Sequence, residues 1–197
     1  MMKEFHDEVK GIVIGGQNFN NLHYADNAVY LCCSEVELQE IITRLAVVCR
    51  DYGMQINIKK TKVVVISKTR NVPCKIVMDG SELEQVSQYK YLGTWITKDE
   101  RCELDVKTRI AITKDAFWKH KELLKGNISL RVKKRILQCY HYVYPVLKYS
   151  CESWTLNNDL IWRINSLEQW CYRRILKIKS TDKVSNEAVL KKLKEYK

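Results

Sequence analysis

The tetrapeptide Tyr24-Ala25-Asp26-Asn27 stands between two apolar, strand-like runs, Asn21-Leu22-His23 and Ala28-Val29-Tyr30-Leu31-Cys32. So short an interruption reads as the tight turn of an antiparallel hairpin, which fixes the carboxylate of Asp26 at one point above a sheet. Val9 to Ile14 and Phe19 to His23 read as further short strands, joined by Gly15-Gly16. Ser34 then offers an N-cap with Glu37 in capping-box position, and Leu38, Ile41, Leu45, Val48 and Tyr52 follow at helical spacing up to the stop signal Gly53. Ile56, Ile58 and Val63-Val64-Val65-Ile66 read as a strand flanked by Lys59, Lys60 and Lys62. Lys75 to Met78 with the Asp79-Gly80 turn, and Tyr89 to Ile96, suggest two more hairpins.

Past Asp99 the period changes from strands to helices. Val106, Ile110, Phe117 and Leu124 mark a helix ending near Gly126. A second is expected from Ser129 to about Tyr144, its end disturbed by Pro145. Leu160, Ile164, Leu167, Cys171 and Ile175 define a third, and Glu187 to Tyr196 a short last one. The expected fold class is α+β, a small mixed or antiparallel sheet with a helix laid across it followed by a helical region, with the boundary near Lys98.

The chain has 197 residues, 46% of them apolar, enough for one large domain or two small ones with a real core, which argues against disorder. Two prolines and seven glycines argue against long linkers. A net charge of +11 points to a polyanionic partner, because clustered Lys and Arg displace counterions from phosphate backbones; a merely soluble basic surface is the alternative. The eight cysteines are scattered, with neither a C-x-x-C pair nor histidines at zinc spacing, and read as buried, reduced thiols of an intracellular protein. Met1 to Glu8 mixes charge signs without an apolar core, so no secretory signal is visible. The longest uncharged apolar stretch, Ile136 to Leu147, is shorter than the roughly 20 residues a bilayer demands, so a soluble chain without membrane contact is expected.

Several motifs in order carry a family resemblance. Asn21 to Asp26 is followed by Ser34-Glu35-Val36-Glu37-Leu38-Gln39, by Gly53 to Lys62, and by Tyr89-Lys90-Tyr91-Leu92-Gly93. This series resembles the second half of the reverse transcriptase of a non-LTR (LINE-type) retrotransposon, from the catalytic hairpin to the primer grip. Asn127 to Leu130, Cys151 to Leu156 and Trp170 to Leu176 resemble the region after the palm in the same elements. The resemblance implies a partial polymerase palm over residues 1–98 and a helical thumb-like region over 99–197, with an RNA template and a DNA primer or hybrid duplex as partners.

It also implies roles for single residues. Asp26 would be one of the carboxylates that hold Mg2+ for nucleotidyl transfer; its plainer reading is a solvated turn aspartate. Asn27 occupies the place of the family's second aspartate, offering a neutral carbonyl ligand or serving only as a good turn residue. Tyr24 would support the primer terminus, or pack on the strand face. Lys62 would face the incoming triphosphate, or belong with Lys59 and Lys60 to a solvated charge run. Tyr91, Leu92 and Gly93 would form the primer grip, Gly93 allowing close backbone approach, unless Gly93 is an ordinary bend.

Basic and aromatic residues interleave beyond residue 100. Lys133, Lys134 and Arg135 precede Tyr140, Tyr142 and Tyr144, while Trp162 and Trp170 flank a helix with Arg163, Arg173, Arg174 and Lys177. Such residues can follow a nucleic-acid backbone with the cations and meet bases with the rings; Trp170 and Tyr140 are expected in the core. The other metal-binding aspartate of the family comes from an earlier strand that these residues do not include. The expectation is therefore a truncated reverse transcriptase, inactive alone. The rivals are a non-catalytic nucleic-acid-binding protein that uses the helices, and a host protein that keeps the fold as an interaction scaffold. An exposed palm face and an unpaired sheet edge would favour self-association or a protein partner.

Overall fold

A computed structural model describes residues 11–67, 72–99, 101–138 and 143–195. The readings of Met1 to Glu8, of Val9, of Tyr140 and Tyr142, and of Tyr196 lie outside the described residues. The chain divides into two units, the first comprising Met1–Tyr89 with Thr97–Asp99, the second Lys90–Ile96 with Glu100–Lys197.

In the first unit β1 (Ile12–Ile14) and β2 (Gln17–Phe19) pair across Gly15-Gly16, and β3 (Asn21–Tyr24) pairs with β4 (Asn27–Tyr30) with Tyr24 opposite Asn27. Helix α1 (Glu35–Asp51) starts as its sequence requires. Ser34 Oγ accepts from the Glu37 N–H at 3.3 Å, and the Glu37 carboxylate reaches back to the N–H of Cys33 at 3.3 Å. Its end is closed by Gly53 and Met54, whose N–H groups bond to the carbonyls of Arg50 and Cys49.

Strands β5 (Lys62–Val63), β6 (Val77–Met78), β7 (Ser81–Glu82) and β8 (Glu84–Gln85) are short. β6 and β7 form the hairpin expected around Asp79-Gly80, where both turn residues have positive φ (47° and 77°) as a type I′ turn demands. The single sheet read from the sequence is not what forms. Among the described residues the strands make separate two-stranded ladders, and β5 pairs with β8 in parallel, a partner 22 residues away that local pattern could not supply. The run to Ile66 shrinks to Lys62–Val63, because only those two residues find a ladder partner.

The core of this unit gathers Ile42, Leu45 and Cys49 of α1 with Val63, Cys74, Ile76, Met78 and Leu83, and Tyr30 of β4 packs against it. Polar contacts fasten α1 to the later strands. The Gln39 amide accepts from the Val77 N–H and donates to the Val77 carbonyl, both at 2.8 Å, and so takes the place of a missing strand. Glu35 accepts from the Lys75 N–H at 2.9 Å.

β9 (Gln88–Tyr91) and β10 (Thr94–Thr97) pair across Leu92-Gly93; the hairpin tip, Lys90–Ile96, belongs to the second unit. That unit contains α2 (Glu103–Lys119), α3 (Lys121–Lys125), α4 (Leu130–Gln138), α5 (Tyr144–Lys148), α6 (Asn158–Ile175) and α7 (Asn186–Glu195). The helix expected through Gly126 is broken at His120 into α2 and α3. The helix expected from Ser129 to Tyr144 ends its described part at Gln138, and Pro145 sits in the first turn of α5, where its missing N–H costs nothing, so it opens a helix and does not close one. Asn157 caps α6 by accepting from the Leu160 N–H at 2.9 Å. Phe117, Leu124, Leu137, Val143, Leu147, Leu167, Cys171 and Ile175 form the core, with Trp170 packed against it. No helix among the described residues is long and apolar enough to cross a membrane.

Candidate functional site

Asp26 stands at the tip of the β3–β4 hairpin, exposed, in a two-residue turn with Ala25 at φ 53°. Holding a non-glycine residue there costs about 1 kcal/mol. The hairpin is anchored from its far end: Tyr30 packs on the first core, where burial pushes its phenol up to about 12, and the Leu31 N–H donates to the Asn20 carbonyl at 2.8 Å. The Asn27 amide nitrogen lies 3.4 Å from Asp26 Oδ1, so Asn27 turns a donor, and not its carbonyl, toward the carboxylate. Tyr24 is 64% exposed and does not pack on the strand face.

The cysteines among the described residues are all free, and those residues contain no group of three or more His, Cys, Asp or Glu able to hold a metal ion. Asp26 with a donating Asn27 does not make a two-ion centre. A second carboxylate would be required to hold a pair of divalent cations beside it.

Lys62, in β5, meets Glu84 of β8 with Nζ–Oε2 at 2.5 Å, a pair set by the parallel register that places Lys62 opposite Glu84. Lys59 and Lys60 are exposed in a turn held by Asn57 Oδ1, which accepts from the Lys60 N–H at 3.1 Å.

The basic residues of the second unit separate into two groups. Lys133 is buried, and burial with the nearby Lys177 cation lowers its pKa; Lys134 Nζ donates to the Leu193 carbonyl. Arg163 pairs with Asp159 at 2.8 Å. Arg173 donates to the Val184 carbonyl at 2.8 Å and to Asn186 Oδ1 at 2.7 Å, tying α6 to the start of α7. Arg174 lies 3.7 Å from the ring centre of Trp170 and 5.5 Å from that of Trp118, and its burial lowers its pKa. Arg135 and Lys177 are exposed. Trp118 is partly open to solvent and carries Lys125 Nζ at 4.6 Å, which makes a mixed cation–ring surface with Arg174.

Around Tyr91-Leu92-Gly93 the structure brings in residues that the sequence did not single out. Both turn residues have positive φ, Leu92 at 47° and Gly93 at 84°. Tyr149 donates its hydroxyl to the Leu92 carbonyl at 2.7 Å, and Arg109 Nη2 donates to the Gly93 carbonyl at 2.6 Å. Asp105 accepts from the Trp95 N–H at 3.2 Å through Oδ1 and from Trp154 Nε1–H at 2.8 Å through Oδ2. Asp105, Arg109 and Thr113 repeat every four residues on the buried face of α2, beside Val106 and Phe117. That polar stripe inside an apolar one was the available signal.

Residues 1–96 match the reverse transcriptase (RNA-dependent DNA polymerase) family. The chain is 26% identical over 172 residues to an uncharacterized transposon-derived protein of Caenorhabditis elegans, covering 85% of this chain and 60% of the relative. It is 31% identical over 144 residues to the probable RNA-directed DNA polymerase from transposon BS of Drosophila melanogaster, covering 66% of this chain and 15% of that protein. It thus spans less than two thirds of the length of either relative. No solved structure matches the chain. Residues 1–96 thus resemble the reverse transcriptase family, and the chain as a whole is similar to these two transposon proteins.

Proposed function

We propose that residues 1–98 are part of the palm, and residues 99–197 the thumb-like region, of a non-LTR (LINE-type) retrotransposon reverse transcriptase, and that they bind an RNA template paired to a DNA primer. The observation that carries this reading is Asp26, exposed at the tip of the β3–β4 turn inside the segment of reverse transcriptase type. RNA-directed DNA synthesis with Mg2+ is the activity of such an enzyme when complete. Among the described residues Asp26 is the hairpin carboxylate for that chemistry, with no second acid grouped beside it, and hybrid binding, not polymerisation, is the activity we assign to this polypeptide by itself. Exposed Ile12, Val13, Ile14 and Leu22 on β1 and β3 favour its self-association, which sedimentation velocity measures.

Anisotropy of a labelled RNA–DNA hybrid across a salt series tests the reading. Affinity should fall as salt rises, and Arg135→Glu with Lys177→Glu, both exposed positions, should reduce the slope of log K against log salt by about 2. An unchanged slope removes these helices from the interface.

The cation–ring surface of Trp118, Lys125 and Arg174 favours a second reading, a non-catalytic nucleic-acid-binding protein working through the helical unit alone. Mn2+ separates the two: under the first reading it tightens hybrid binding and Asp26→Ala abolishes the effect, whereas under the second neither matters.

A further inference from the structure

The Leu92-Gly93 turn is held in a conformation its sequence resists. Leucine at φ 47° is disfavoured because its Cβ crowds the following carbonyl, and such outliers persist only where surrounding structure over-determines them. The surrounding structure here is the helical unit. Two successive turn carbonyls are taken from the same side, Leu92 by the Tyr149 hydroxyl at 2.7 Å and Gly93 by Arg109 Nη2 at 2.6 Å. The Arg109 guanidinium is itself oriented, lying 4.3 Å from the centre of the Tyr149 ring and only 8% exposed. Its Nε has no hydrogen-bond partner, and Arg109 makes no ion pair among the described residues, so a buried cation faces the turn backbone in place of a carboxylate. One strand step further, Asp105 holds the Trp95 N–H.

We propose that Arg109 and Tyr149 are positioning residues for the Leu92-Gly93 turn: they impose its left-handed backbone and present it, backed by a buried positive charge, to the phosphodiester backbone of a bound hybrid. The inference rests on the reading of this hairpin as a nucleic-acid contact. It adds that the contact is set from beneath, by residues that do not touch the nucleic acid. The sequence explains why a clamp is required. Type I′ turns favour Asn-Gly, in which the first residue accepts positive φ readily, and this chain has Leu-Gly.

The test uses the full chain and a labelled RNA–DNA hybrid. Tyr149→Phe deletes one hydroxyl from a side chain that is half exposed, so the fold is kept, as circular dichroism would verify. Losing one hydrogen bond should speed amide exchange in residues 91–94 about fivefold and weaken hybrid binding by about the same factor. The salt slope should stay unchanged, because no phosphate contact is lost. Adding Leu92→Asn, which converts the turn to the favoured Asn-Gly, should restore both exchange and affinity, a rescue that a general packing defect would not show. Leu92→Glu tests the underlying contact by placing a negative charge at the turn.

Unchanged exchange in Tyr149→Phe would overturn the proposal. So would faster exchange with unaltered affinity while Leu92→Glu weakens binding, an outcome that leaves the turn as a contact but removes the clamp's role. If neither Leu92→Glu nor Tyr149→Phe alters affinity, the turn is not a nucleic-acid contact and the inference falls with that reading.

Discussion

Replacing Asp105 by asparagine preserves size and shape and removes one acceptor. Asp105 is 1% exposed and its two oxygens meet two donors, the Trp95 N–H at 3.2 Å and Trp154 Nε1–H at 2.8 Å. A carboxamide has one acceptor oxygen. Keeping the shorter bond to Trp154 turns the amide NH2 against the Trp95 N–H, donor to donor. A hydrogen bond to a charged acceptor contributes about 1.5–3 kcal/mol, and an orphaned buried donor costs about 1–3 kcal/mol. Against these stands the relief of no longer burying a charge. The net expectation is a loss of about 1.5–3 kcal/mol, roughly a tenfold to hundredfold shift in the unfolding equilibrium.

Urea unfolding followed by tryptophan fluorescence reads this directly, since all five tryptophans (95, 118, 154, 162 and 170) lie in the second unit. The midpoint should fall with the slope m unchanged. Asp115→Asn is the control: its carboxylate meets Lys119 at 2.9 Å but is 62% exposed, and an exposed helical pair of this kind contributes about 0.3–0.5 kcal/mol. If Asp105→Asn costs no more than Asp115→Asn, the carboxylate does not join hairpin and helix as argued.

Two further outcomes are expected. Asn27→Asp replaces a donor 3.4 Å from Asp26 with a second carboxylate and should tighten Mn2+ binding at the hairpin roughly tenfold or more, read by paramagnetic broadening; a magnesium or manganese primer-extension assay of this polypeptide should still show no product, and robust extension abolished by Asp26→Ala would refute that. Burial pushes the Cys171 thiol up to about 12 while Cys33 is exposed, so at pH 8 a thiol reagent should label Cys33 and leave Cys171 until the protein unfolds. Because the Cys171 pKa is raised on folding from 9.0, its contribution to stability is complete below about 9 and is lost as pH climbs toward 12; equal labelling of both thiols in the folded chain would contradict its burial.

Sequence alone determined what depends on neighbours along the chain. Helix α1 was legible because Ser34, Glu37 and Gly53 satisfy its ends locally while a 3.6-residue period marks its buried face. The turns at Gly15-Gly16, Asp26, Asp79-Gly80 and Leu92-Gly93 were legible for the same reason, since a two-residue turn commits its flanking strands to each other, but the strand read from Phe19 to His23 divides at Asn20, Phe19 ending β2 and Asn21 opening β3. Tertiary structure decided everything that depends on a distant partner. β5 pairs with β8 in parallel, and that register neutralises Lys62 with Glu84. Pro145 reads in sequence as disturbing the end of the helix before it, yet it lies in the first turn of α5. Arg173 and Arg174 look alike in sequence, yet one ties α6 to α7 while the other lies against tryptophan rings, because successive helical residues face about 100° apart. Asp105 and Arg109 leave only a polar stripe at four-residue spacing on α2, and Tyr149 leaves no local signal; all three are separated in sequence from the turn they hold, and only the folding of α2 and the segment after α5 around Leu92-Gly93 gives those side chains their partners.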